Sequence, residues 1–120
     1  MIGHKIAQVL EINNEVIGTS RKVISPRDLG IDKATILNKD FIVDESLDFM
    51  SEIMPDVIIN CVGITTRRLN ETNINHLSFI NSTLPKLIND WSIENSKKMI
   101  HMSTDCVFSG KQGGYREQSF

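Results

Sequence analysis

The sequence predicts an α/β fold built on a parallel sheet. Three observations carry that expectation: short β-branched runs, amphipathic helical stretches, and a regular alternation of the two along 120 residues. Strands alternating with helical patterns argue for βαβ units with right-handed crossovers. The length suits one domain, and there is no internal repeat and no low-complexity segment.

The elements follow in order. Ile2, Ile6, Val9 and Leu10 fall at i, i+4, i+7 and i+8, which predicts an opening helix that stops near Asn13 and Asn14. Residues 15–20 (EVIGTS) form a β-branched apolar run, and residues 41–43 and 57–59 are two more, each entered through an aspartate. All three are expected to be buried parallel strands. Between the last two, Leu47, Phe49, Met50, Ile53 and Met54 predict a short amphipathic helix ended by Pro55. A long helix is expected over 71–94, with Leu77, Ile80, Leu84, Leu87, Ile88 and Trp91 on one face and a kink at Pro85. Residues 98–102 (KMIHM) read as a further strand, followed by a loop from Ser109. Residues 23–40 predict only a loop with one helical turn.

Composition narrows the function classes. A net charge of -2 from 13 basic and 15 acidic residues, spread along the chain, leaves no basic stripe for a phosphate backbone and argues against nucleic acid. No apolar stretch is long enough for a membrane span, and residues 5–11 lack the pattern of a secretory signal. Cys61 and Cys106 stand 45 residues apart without a C-x-x-C spacing or a nearby histidine ligand, so no metal is expected, and both thiols are expected to be reduced, buried and cytoplasmic.

Candidate site residues gather where strands are expected to end. Gly3 opens the first helix, where a glycine permits close packing and lets the helix N-terminus face a phosphate. Taken alone, an incidental glycine is the simpler reading. Thr19, Ser20, Arg21 and Lys22 close the second strand of a dinucleotide fold, where a hydroxyl and a guanidinium suit a 2'-phosphate and point to NADP rather than NAD. A solvated basic turn explains the same residues. The small-residue turn at Cys61, Val62 and Gly63 lets a cofactor approach the backbone, or is a plain tight turn. In residues 101–110 (HMSTDCVFSG) a strand runs into consecutive hydroxyls and an acid, at the sheet edge where open α/β folds bind ligands. A hydroxyl there can stabilise charge developing on a carbonyl oxygen by roughly 3 kcal/mol when preorganised. Capping of the following turn is the structural alternative.

Read together, MIGHKIAQVL, NNEVIGTSR, PDVIINCVGI, INSTLPKLI and HMSTDCVFSGKQGGYRE resemble the extended short-chain dehydrogenase/reductase class, and within it the dTDP-4-dehydrorhamnose reductase-like sugar-nucleotide reductases. The resemblance implies a Rossmann-type doubly wound parallel sheet, incomplete, with strand order 3-2-1-4-5 and with the first strand and the C-terminal part missing. Residues 1–120 are then a partial NAD(P)-binding Rossmann domain with the substrate domain absent. The parent is expected to transfer a hydride from NADPH to the 4-keto group of a deoxysugar nucleotide, in the biosynthesis of cell-surface polysaccharide sugars.

The resemblance makes Thr104 the catalytic hydroxyl and Ser103 its cofactor-side neighbour, with Asp105 and Cys106 toward substrate. Gly3, Ser20, Arg21, Cys61, Val62 and Gly63 belong to the cofactor site. Asp44 and Glu45 fall where the family contacts adenine, and Asn81 matches an asparagine that supports the active site. A nucleotide-sugar substrate and a homodimer of the parent are further expectations. The class depends on a Tyr-x-x-x-Lys pair, yet here the one tyrosine, Tyr115, is followed four residues on by Ser119. The chain as given is therefore expected to be inactive. Two alternatives stay open: a non-catalytic dinucleotide-binding or regulatory module, and an epimerase or dehydratase of the same class.

Overall fold

The computed structural model describes residues 2–65, 73–104, 109–111, 113–116 and 118–119. Helix α1 (Ile2–Leu10) leads into strand β1 (Ile17–Ser20), a 3-10 turn at Pro26–Leu29, and strand β2 (Thr35–Asn38). Helix α2 (Asp48–Ile53) then precedes strand β3 (Val57–Asn60). Helix α3 (Ile74–Ser78), a π-helical turn (Phe79–Thr83) and helix α4 (Leu84–Glu94) form one helical run, and strand β4 (Lys98–His101) follows. The fold is α/β, as predicted, with every described strand pair parallel.

Those strands form two separate two-stranded sheets. β1 pairs with β2, Ile17 opposite Thr35, and β3 pairs with β4, Asn60 opposite His101. Among the described residues no strand lies between β1 and β3, so the structure carries an incomplete α/β sheet rather than a continuous one.

Helix α1 touches both halves. Ala7 packs with Ile31 and Ala34 at the entrance to β2, with Val16, Leu29 and Ile36 around them. On another face, Ile6, Val9 and Leu10 line an open apolar groove with Ile59, Ile100 and Met102 of the β3–β4 sheet. Alternation along the strands explains the division. Ile58 and Met99 face the larger core of Phe41, Met50, Ile80, Leu84 and Ile88, while Ile59 and Ile100 face the groove.

Four expectations need correction. Residues 41–43 form a turn, not a strand: the Asp40 carboxylate accepts from Ile42 N–H, and the Asp40 carbonyl from Val43 and Asp44 N–H. Strand β2 lies earlier, in the segment expected to be a loop, where the pairing of Thr35 to Asn38 with β1 supplies the ladder that local sequence leaves open. The strands are also not fully buried, since Val57 keeps 47% and Ile100 50% of their exposure. Strands of a parallel sheet are normally covered on both faces, but here the groove face of the β3–β4 sheet is open. Lastly, Cys61 is only half-buried, while Cys106 lies outside the described residues.

The helical run begins at Asn73, whose side chain accepts from Asn75 N–H as an N-cap. The predicted kink at Pro85 takes the form of a π turn. Proline lacks the N–H that would bond the Asn81 carbonyl, and its ring crowds that carbonyl. The Leu84 N–H reaches back five residues to Phe79 instead. Helix α2 ends where Met54 turns left-handed (φ 50°), just ahead of Pro55 as predicted.

Candidate functional site

The carboxyl ends of β3 and β4 lead into neighbouring turns. Asn60, 3% exposed, closes β3: its Oδ1 accepts from Val62 N–H at 3.0 Å and fixes the turn that carries Cys61, Val62 and Gly63. The N-terminal turn of α1 comes up against this segment. A Cβ placed on Gly3 would stand 3.4 Å from Cys61 Cβ, so glycine lets the helix and the turn close together. Gly3 and Cys61, 58 positions apart in the chain, are thus brought side by side. Burial pushes the Cys61 thiol above its ordinary value, which suits a packing role rather than a nucleophilic one.

Asn81 holds the next segment. Its Oδ1 accepts from Ile64 N–H and its Nδ2 donates to the Ile64 carbonyl, each at 2.8 Å, so one amide clamps one backbone unit. Gly63 lies beside it, an added Cβ being 3.8 Å from Asn81 Oδ1. Because Asn81 belongs to the π turn, the irregularity just before Pro85 helps set the direction of this side chain. Sequence could signal the asparagine and the proline but not that the two act on Ile64.

Across the ladder, the backbone N–H of Met102 donates to the Asn60 carbonyl, and the chain continues into Ser103 and Thr104. Both are exposed. Asp105 and Cys106 lie outside the described residues. Farther on, the Tyr115 hydroxyl and Ser109 Oγ share a hydrogen bond of 3.0 Å.

The β1–β2 half carries the remaining candidates. Ser20 ends β1, its Oγ accepting from Lys22 N–H at 3.3 Å, and Arg21 is exposed on the same turn. Asp44 and Glu45 follow the Asp40 turn rather than a strand. Asp44 pairs with Lys39, and that hydrogen bond holds its carboxyl below the usual carboxylate range, helped by Ser46 N–H. Lys39 in turn lies 5.7 Å and 5.6 Å from the centroids of the Phe41 and Phe49 rings, so its ammonium is shared between a carboxylate and two aromatic faces. Glu45 is exposed.

One feature was missed by sequence reasoning. Glu11, 9% exposed, accepts backbone N–H bonds from Asp32, Lys33 and Ala34 at 2.8 to 3.2 Å. It ties the end of α1 to the start of β2. The only local signal is an acid just past the apolar face of α1, and its partners are more than 20 residues away. Among the described residues no group of His, Cys, Asp and Glu could hold a metal ion, and no helix is long and apolar enough to cross a membrane.

Parallel strand pairs with turns gathered at their carboxyl ends, and a helix N-terminus packed on one turn, define an α/β protein with a ligand-type sheet edge. The chain belongs to the family described as the RmlD substrate binding domain, whose model matches residues 1–119. This places it in the dTDP-4-dehydrorhamnose reductase-like family of sugar-nucleotide reductases, with an oxidoreductase parent. No curated protein and no solved structure gave a significant match.

Proposed function

We propose that the chain carries the cofactor-facing edge and the catalytic hydroxyl of an NADPH-dependent reductase acting on the 4-keto group of a deoxysugar nucleotide, in the making of cell-surface polysaccharide sugars. The observation that carries this reading is the meeting of Gly3 with Cys61, one register step from the strand end that leads to Ser103 and Thr104. The glycine at the helix start lets the α1 N-terminus close on the turn at 61–63, which would set both against a dinucleotide at this strand end. Arg21 and Ser20 supply a guanidinium and a hydroxyl for a 2'-phosphate, which favours NADPH over NADH. Asp44, already paired with Lys39, offers the adenine side a fixed carboxylate.

Bound NADPH supplies the hydride. As the keto carbon accepts it, negative charge grows on the carbonyl oxygen, and the Thr104 hydroxyl donates a hydrogen bond to that oxygen. The family resemblance assigns Ser103 to the cofactor side and Asp105 and Cys106 to the sugar. The alkoxide then needs a proton donor. Within these 120 residues the one tyrosine, Tyr115, is followed four positions on by Ser119 rather than by the lysine that the family pairs with its tyrosine. A dinucleotide-binding module without chemistry is the second reading.

Titration of NADPH and NADH against the chain, monitored by nicotinamide fluorescence, tests the proposal beside a longer chain that adds a strand ahead of α1 and a Tyr-x-x-x-Lys segment. Binding and turnover of a 4-keto sugar nucleotide by the longer chain alone supports the reductase. Tight binding by the 120 residues alone moves the binding module ahead, and no binding by either form removes both.

A further inference from the structure

The Asn60 and His101 side chains meet across the β3–β4 ladder, Asn60 Nδ2 lying 3.2 Å from His101 Nδ1. The direction of this bond can be deduced. Asn60 Oδ1 is engaged by Val62 N–H, so the amide nitrogen must face the imidazole. An amide nitrogen only donates, so in this bond His101 Nδ1 accepts, the role it takes in the tautomer that carries its proton on Nε2. One nearly buried amide therefore links two turns: through Oδ1 it shapes residues 61–63, and through Nδ2 it holds the residue two positions before Ser103.

We propose that Asn60 and His101 are a positioning pair that keeps the cofactor turn at 61–63 in register with the catalytic turn at 103–104. The role of these turns rests on the reductase reading above, whereas the pair itself rests on geometry alone. In this role His101 acts through Asn60. Its Nδ1 fixes the amide orientation, which presents Oδ1 to Val62. A side chain without an acceptor frees Asn60 to turn over, and the Val62 N–H loses its partner.

Two measurements on the 120-residue chain test the pair directly. Nitrogen-15 NMR of the imidazoles, with His101 assigned by its loss in His101→Gln, should show an unprotonated Nδ1 and a protonated Nε2. A protonated Nδ1 overturns the proposal. Hydrogen exchange read by mass spectrometry, at concentrations where the chain is monomeric, should show the Val62 amide exchanging about tenfold faster in His101→Phe, as expected for one lost hydrogen bond of ordinary strength. His101→Gln, which keeps an acceptor, should restore protection, and the amides of α4 should be unchanged in both. Equal protection in His101→Phe and wild type overturns the proposal, as does a rise that His101→Gln fails to reverse.

In whichever form binds NADPH in the titration above, His101→Phe should weaken binding about five- to tenfold and His101→Gln about twofold or less. Absence of NADPH binding in every wild-type form sinks the reductase reading and leaves the tautomer and exchange results to decide the pair. Unchanged NADPH affinity in His101→Phe, with wild type binding normally, sinks the positioning role.

Discussion

At the scale of single residues, the structure relies on side chains that hold backbone rather than other side chains. Asn81 satisfies both polar groups of Ile64 with one amide. Asn81→Ala removes two hydrogen bonds and should lower stability by about 1 to 2 kcal/mol, and Asn81→Asp, which keeps the acceptor for Ile64 N–H but sets a carboxylate oxygen against the Ile64 carbonyl, should lower it at least as much. Urea unfolding followed by the fluorescence of the single tryptophan, Trp91, measures both, and an Asn81→Asp variant as stable as wild type would contradict the two-bond clamp. Glu11 does the same work for residues 32–34. Its pKa is lowered from the usual value of 4.5, chiefly by the Lys33 N–H, so the carboxylate form stabilises the fold. Because the folded value lies below the unfolded one, that stabilisation is complete above 4.5 and is lost as pH falls through the folded value. Glu11→Gln should melt lower than wild type at about pH 7, and the gap should narrow as pH falls through the lowered folded value. A gap that persists in acid would mean the charge is not what holds residues 32–34.

At the scale of elements, the π turn links helix regularity to the site. Pro85→Ala restores an N–H that can bond the Asn81 carbonyl, allowing the run from α3 to α4 to continue as a regular helix. Removing the extra residue of the π turn rotates the preceding side chains by about 100° relative to α4, which takes Asn81 away from Ile64. Pro85→Ala should therefore keep or raise the helical circular dichroism signal while losing the Asn81 clamp. Its cost should overlap with that of Asn81→Ala, the double variant being less destabilised than the sum. Strict additivity would show that the π turn and the clamp are independent. The elements were also largely legible beforehand, because α1, α2 and the helical run each carry a 3.6-residue apolar pattern, and β3 and β4 are β-branched or apolar runs between helices. The segment from Val23 to Val43 was not. Its strand has four residues and its competing apolar run, Phe41 to Val43, carries a stronger local signal, so only pairing with β1 decides between them.

At the scale of the whole molecule, the description is of two half-sheets joined by α1. The solvent-accessible area is 9104 Å², against about 6,600 Å² for a compact monomer of this mass. The radius of gyration is 15.7 Å, against about 14 Å for a compact chain of this length. Apolar side chains account for part of the excess, with Val9, Val57, Ile100 and Met102 all exposed around the groove face. Unpaired strand edges beside exposed apolar side chains invite association with other chains. The isolated chain should associate as its concentration rises, seen as scattered light, and should unfold over a broader transition than the longer chain described above. A chain of 120 residues that stays monomeric at high concentration and melts as sharply as the longer one would refute this account.

The sequence by itself determined the α/β class, the helices, the β3 and β4 strands, the Pro85 irregularity and the family, because these are written in local periodicity and in contiguous motifs such as HMSTDCVFSG. Tertiary structure alone decided where β2 lies, that Gly3 meets Cys61, that Asn81 clamps Ile64, that Glu11 holds residues 32–34, and that Asn60 faces His101. The physical reason is common to all five. Each depends on a partner between 17 and 58 positions away in the chain, and no local pattern specifies the far member of a strand pair, a hydrogen bond or a packing contact.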